Sequence, residues 1–163
     1  MTEPSQPMPP LPGAAAVPPP TERVALGLLA ALGAVAAGVV LTVVVWRAGF
    51  VASLTSFVIA IGAAWLYTRA AGAPPRRGLV PLIALIIAGV VISFFAVVAS
   101  DLIKAYDDAV ASGLVPTIGK GEFVRTGLTD SDVLSEYGKD MAMFGLFAVL
   151  GIFGTVRRML ASR

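Results

Sequence analysis

The chain contains no cysteine, no histidine and no asparagine. Disulfide frameworks, zinc or haem sites built on His or Cys, and thiol or imidazole catalysis are therefore excluded from this chain on its own. Charge is also scarce: 13% of the residues are Asp, Glu, Lys or Arg, against roughly a quarter in an ordinary soluble domain. What fills the space is hydrocarbon, with 57% of the residues hydrophobic. These residues come in long uncharged blocks, and about 18 apolar residues suffice to cross ~30 Å of bilayer core as a helix. The sequence is that of an integral membrane protein whose first partner is the lipid bilayer. The net charge of +2 is spread between membrane segments rather than gathered into a stripe, so nucleic acid is not an expected partner.

Residues 1–22, "MTEPSQPMPPLPGAAAVPPPTE", hold eight of the twelve prolines and almost nothing large and apolar. Such a segment cannot form a core and is expected to be a disordered, Pro-rich tail. The first basic residue is Arg23, which argues against a signal peptide and for an uncleaved first helix. Spans are expected at about 24–46, 50–67, 79–100 and 141–156, giving an all-α polytopic protein of four transmembrane helices in two antiparallel hairpins. The first is 23 residues without a charge and carries a dozen Leu and Val, each favouring insertion by ~0.3–0.6 kcal/mol. Pro74 and Pro75 stop the second helix, and Pro81 sits in the first turn of the third, where a missing amide proton costs little. The fourth is short, and Lys139 and Arg157 must extend to the interfaces.

Between the third and fourth spans, the period of Leu102, Ile103, Tyr106 and Val110 carries the third helix beyond the lipid. Residues 113–128, with four glycines and a proline, read as a loop. Thr129 is the expected cap of a helix that runs without interruption into the fourth span. Seven of the twelve basic residues fall on the side of the tail, the Arg-rich turn and the C-terminus, while segment 101–140 holds eight of the ten carboxylates. The positive-inside rule then places both termini in the cytoplasm and makes 101–140 an acidic extracytoplasmic segment.

Two patterns are candidate sites. Asp101, Asp107, Asp108, Asp132, Glu136 and Asp140 could ring a hard cation, with Asp101, Asp108, Asp132 and Glu136 the best placed; the simpler reading is a solvated acidic rim, since no calcium-loop spacing is present. No cofactor is implied. The second pattern is small residues: Gly27, Ala31, Ala34 and Gly38 on the first helix, Ala52, Ser56, Ala60 and Ala64 on the second, and Gly145, Ala148, Gly151 and Gly154 on the fourth. Such faces let helices approach closely, within the chain or between chains. The spans carry hydroxyls (Thr42, Ser53, Thr55, Ser56, Ser93, Thr155) but no charge at mid-membrane, and each hydroxyl can bond a carbonyl of its own preceding turn. Lys120 between glycines lacks the full spacing of a phosphate loop.

The hairpin "VVVWRAGFVASLTSFVIAIGAAWLYTRAAG", the third helix ending "SDLIKAYDDA" and the last ending "GLFAVLGIFGTVRRML" resemble uncharacterised four-helix membrane proteins of Gram-positive, actinobacterial-type bacteria over about residues 24–160. That resemblance rests on layout, implies a bacterial plasma membrane location, and carries no functional residues. Four-helix multidrug exporters need a membrane-embedded Glu and quinone-linked thiol oxidoreductases need paired cysteines, and neither is present. The expected function is that of a non-catalytic membrane component acting by association with other membrane proteins or with itself; the alternative is a small oligomeric channel or carrier with an acidic outer mouth.

Overall fold

Continuous apolar sequence with no internal proline gives the first helix, α1, Val24–Arg47. It ends where Gly49 takes φ +79° and the amide of Phe50 reaches back to the Val45 carbonyl at 3.1 Å, the left-handed closure that glycine adopts without strain. The computed structural model describes residues 21–50, 54–114 and 117–161. Across them follow α2 (Leu54–Ala71), α3 (Leu79–Ala111), α4 (Lys120–Thr129), α5 (Ser131–Glu136) and α6 (Gly138–Ala161). There is no strand among the described residues. Among the described residues three helices, α1, α2 and α3, are long and apolar enough to cross a membrane.

Contacts fix how the helices run. Gly27 faces Tyr67, Gly38 faces Ile59 and Thr42 bonds Thr55, so α1 and α2 run in opposite directions. Gly89 meets Val35 and Asp101 meets Trp46, so α3 is parallel to α1. On the other side, Gly151 of α6 lies against Ala60 and Phe57 of α2, and Phe144 stacks edge-on with Phe94 of α3 at 6.1 Å. α2 and α3 form the middle of the bundle, α1 covers one side and α6 the other. One core cluster joins α1, α2 and the start of α3 around Ala31, Ile59, Tyr67 and Leu82. The second joins later α3 to α6 around Phe94, Val97, Phe144 and Ala148. The remaining faces are apolar and exposed, with Leu29 65%, Val40 64% and Val149 64% exposed, as lipid contact requires.

Four expectations are corrected. The second helix, described over Leu54–Ala71, runs past the expected end at 67 because the chain stays helical until Gly72 turns it at φ +73°, and Phe50, expected to open that span, lies in the connection after the closure at Gly49. Residues 120–129 are helical rather than loop: Phe123 stacks on Tyr106 at 5.7 Å and Gly127 sits against Leu102, so docking on α3 overrides a glycine-rich local preference. Thr129 is not a cap; its hydroxyl donates back to the Thr126 carbonyl at 3.0 Å, and the Asp130 side chain accepts from the Asp132 amide at 2.8 Å instead. The helix begun there is interrupted at Tyr137, and α6 starts afresh at Gly138. Of the tail at 1–22, residues 1–20 lie outside the described residues, as do Ala52, Ser53 and the side chain of Thr155.

Candidate functional site

Two carboxylates organise the two ends of the bundle. At the end where α1 begins, Glu22 accepts four hydrogen bonds: from the Tyr67 hydroxyl at 2.8 Å and from the amides of Arg76, Arg77 and Gly78 at 3.2, 2.9 and 3.1 Å. The successive amides lead into the N-terminus of α3, where free N–H groups and the helix dipole favour an anion. Glu22 therefore belongs to the folded bundle and not to the tail, a correction to its sequence assignment. Desolvation works to raise its pKa, but the bonds from Arg77, Tyr67, Gly78 and Arg76 outweigh it and the carboxyl is held below its ordinary value. Tyr67 is fully buried, fitted between Gly27 and Gly78, where any side chain would strike its ring or hydroxyl. Next to Glu22, the Arg23 amide donates to the Ala71 carbonyl at 3.1 Å.

At the opposite end, Asp101 accepts the Trp46 indole N–H on both carboxylate oxygens at 2.8 and 2.9 Å and the Tyr137 hydroxyl at 3.0 Å. The neighbouring pair reinforces this contact, since Arg47 donates from Nε to the Ser100 hydroxyl at 2.8 Å and from its terminal nitrogen to the Ser100 carbonyl at 3.2 Å. Three separate helical segments thus meet on one carboxylate. Burial first, then the bond to Asp101 and the nearby negative charges, push the Tyr137 phenol up to about 12.

The other proposed cation ligands do not converge on Asp101. Asp108 pairs with Lys104 at 2.7 Å and Asp107 with Lys120 at 2.5 Å, while Asp132 lies in the first turn of α5 and Glu136 is exposed at its end. Among the described residues no three acidic side chains are grouped to hold a metal ion. The Lys120–Asp107 pair and the Lys120 ammonium above the Tyr106 ring at 5.8 Å fasten α4 to α3, at a few tenths of a kcal/mol to ~1 kcal/mol each, while the Lys104–Asp108 pair lies one turn apart within α3.

The small residues resolve into two sets. Gly27, Ala31, Gly38, Ser56, Ala60, Ala64, Ala148 and Gly151 are buried between helices of this chain, and Ala34 is half-buried beside them. Gly145 faces outward, and a Cβ there would meet nothing within 4 Å; the same holds for Gly33 on α1 and Gly154 on α6. Gly33 is not among the small residues singled out in the sequence, although Ala30, Ala36 and Ala37 flank it at helical spacing. The buried hydroxyls are engaged internally: Thr42 donates to the Gly38 carbonyl at 2.8 Å and meets Thr55 at 2.6 Å, and Ser93 donates to the Gly89 carbonyl at 2.8 Å. Ser56 also reaches across to the Phe144 carbonyl of α6 at 3.3 Å. An open groove of about 380 Å³ between α1 and α3 is lined by Ala25, Leu28, Leu29, Leu32, Pro81 and Leu85. Its walls offer no polar side chain to orient a ligand and suit an acyl chain.

Compared with known proteins, the chain matches no family model, no curated protein and no solved structure.

Proposed function

We propose that this chain is a non-catalytic component of a bacterial plasma membrane that crosses the bilayer four times in two antiparallel hairpins and acts by associating with another membrane protein or a second copy of itself. The carrying observation is Gly145, with Gly33 as its counterpart on the opposite flank. A glycine inside a helix costs about 0.5–1 kcal/mol relative to alanine, and at Gly27, Gly38, Gly89 and Gly151 that cost is offset by a neighbour from another helix of the chain. Gly145 and Gly33 have no such neighbour. Close approach of a helix from outside the chain supplies the missing compensation.

The internal bonding of Thr42, Thr55, Ser56 and Ser93 supports this reading over the channel or carrier, because a conducting path needs polar groups turned toward a lumen. The fourth crossing is supported by contacts of α6 with both α2 and α3 at Ser56, Ala60 and Phe94. The layout from Val24 onward is the one that resembles actinobacterial four-helix proteins, and Arg23, Arg69, Arg76 and Arg77 at one end favour cytoplasmic termini.

Association is tested by cross-linking in native membranes. Ala142 is exposed one turn from Gly145 on α6. With no native cysteine in the chain, an Ala142→Cys copy is expected to form a disulfide-linked or bifunctionally linked product with a second chain, and Gly145→Leu is expected to abolish it. Absence of any product, or one indifferent to Gly145→Leu, would refute the proposed face. Topology is tested separately: Gly121→Cys should react with an impermeant thiol reagent on intact cells, and Pro74→Cys should not.

A further inference from the structure

The groove between the first turns of α1 and α3 is apolar throughout, but its two ends differ. Ala25 and Pro81, the smallest of the residues that line it, stand nearest the starts of their helices, while Leu28, Leu29, Leu32 and Leu85 lie further in. The trough is therefore widest at its mouth and walled by leucine beyond. From Ala25 to Leu32 it follows α1 for about 10 Å at ~1.5 Å per residue, and an acyl chain fills such a space with no polar group left to satisfy.

The mouth carries the opposite chemistry. Arg23 lies two residues ahead of Ala25, and Arg76 and Arg77 shortly precede Pro81. The two stretches of chain are tied together, since Glu22 accepts from the amides of Arg76 and Arg77 at 3.2 and 2.9 Å. Those bonds fix both residues beside the start of α1 and use none of their guanidinium nitrogens. All three arginines are exposed. Among the described residues none of their side chains has a carboxylate partner; the ion pairs are Lys104–Asp108 and Lys120–Asp107, at the opposite end of α3. Glu22 is occupied by its four hydrogen bonds, and Arg69 lies over the Trp65 ring at 5.5 Å. Three guanidinium groups without an anion thus gather at the open end of an apolar trough. A phosphodiester matches the guanidinium fork, and a headgroup of net negative charge complements the cluster where a zwitterionic one would add a further cation.

We infer that this groove holds one anionic glycerophospholipid, with an acyl chain laid between Ala25 and Leu32 and its phosphate on Arg23, Arg76 and Arg77. The inference rests on α1 and α3 crossing the bilayer, and not on association of the chain with a partner. What the site selects is the headgroup.

The test uses the full chain, delipidated in mild detergent and titrated with dioleoyl phosphatidylglycerol or dioleoyl phosphatidylcholine, with retained lipid counted by native mass spectrometry. One phosphatidylglycerol per chain should be held at least about fivefold more tightly than phosphatidylcholine, the preference that a single basic residue near a membrane surface supplies. Arg23→Gln, Arg76→Gln and Arg77→Gln together should remove the preference while leaving the backbone bonds to Glu22 in place. Arg125→Gln, on α4 at the other end, should leave it unchanged. Ala25→Trp, at an exposed position on the groove wall, should lower retention of both lipids several-fold. If the triple variant does not fold, ionic strength raised to about 1 M, where the screening length is ~3 Å, should shrink the parental preference in its place. Equal retention of the two lipids, a preference that survives the triple substitution or, where that protein does not fold, the salt, unchanged retention in Ala25→Trp, or displacement of phosphatidylglycerol by inorganic phosphate but not by chloride of the same ionic strength would overturn the site. Retention of neither lipid would give the groove to another occupant, the chain's own N-terminal residues or a second copy, and would overturn it equally. Release of the protein from vesicles by alkaline washing would refute the crossing itself, a failure distinct from a missing headgroup preference.

Discussion

A carboxylate contributes most where several donors converge on it, and Glu22 is such a case, with three consecutive amides and a buried tyrosine hydroxyl meeting it. Because its folded pKa lies below the ordinary value of 4.5, its contribution is fully present above that value and is lost as pH falls through the lower folded one. Acidification below about pH 4.5 is therefore expected to loosen the turn between α2 and α3. Amide hydrogen exchange at Arg76, Arg77 and Gly78, compared with the Glu22→Gln protein, checks this; equal protection in both proteins at neutral pH would contradict it. The glycines give a second prediction at this scale. A Cβ on Gly151 would lie 2.6 Å from the Ala60 Cβ, an atom fixed to the backbone, so Gly151→Ala is expected to destabilise by ~1–3 kcal/mol. Gly145→Ala meets nothing and should leave the isolated chain as stable or up to about 1 kcal/mol more so, as thermal unfolding in detergent would show. Small residues were legible in the sequence as packing positions, but not which partner each would face. Asp101 was legible as an acid at a helix end, whereas Glu22 reads in the sequence as part of the tail, and the partners of both, up to 56 residues away, left no local signature.

Helix existence followed from hydrocarbon content, and α1 and the long continuation of α3 to Ala111 have the extent their periodicity implied. What escaped was structure created by docking. α4 contains Gly121 and Gly127 in ten residues, and an isolated helix of that length is marginal in water; it persists because Phe123, Lys120 and Gly127 find Tyr106, Asp107 and Leu102 on α3. Gly127→Leu is expected to dislodge α4, seen as loss of helical content and accelerated proteolysis near Arg125, with α1 to α3 unchanged. Gly113, with φ +87°, closes α3 through the Leu114 amide to the Ala109 carbonyl at 3.1 Å, and Gly113→Ala should cost about 1–2 kcal/mol of left-handed strain. The interruption at Tyr137 was hidden for a related reason: Val133, Tyr137 and Met141 share a helical period, but the bond to Asp101 turns Tyr137 to a use that the period does not encode.

At the scale of the whole molecule, α2 and α3 are flanked by α1 and α6 and fastened at one end through Glu22 and at the other through Asp101. The interior is closed by bonds among its own hydroxyls and carbonyls, and the small residues that the chain needs for its own assembly are already occupied. The outward glycines on α1 and α6 remain, and they are the basis for proposing that the bundle works in company. The native mass of the gently solubilised, tagged protein at its normal expression level tests that claim most directly. The account predicts a particle containing more than one copy, or one copy with a stoichiometric membrane protein, that falls to a single chain when Gly33 and Gly145 are both replaced by leucine. A single chain in the unsubstituted protein would contradict it.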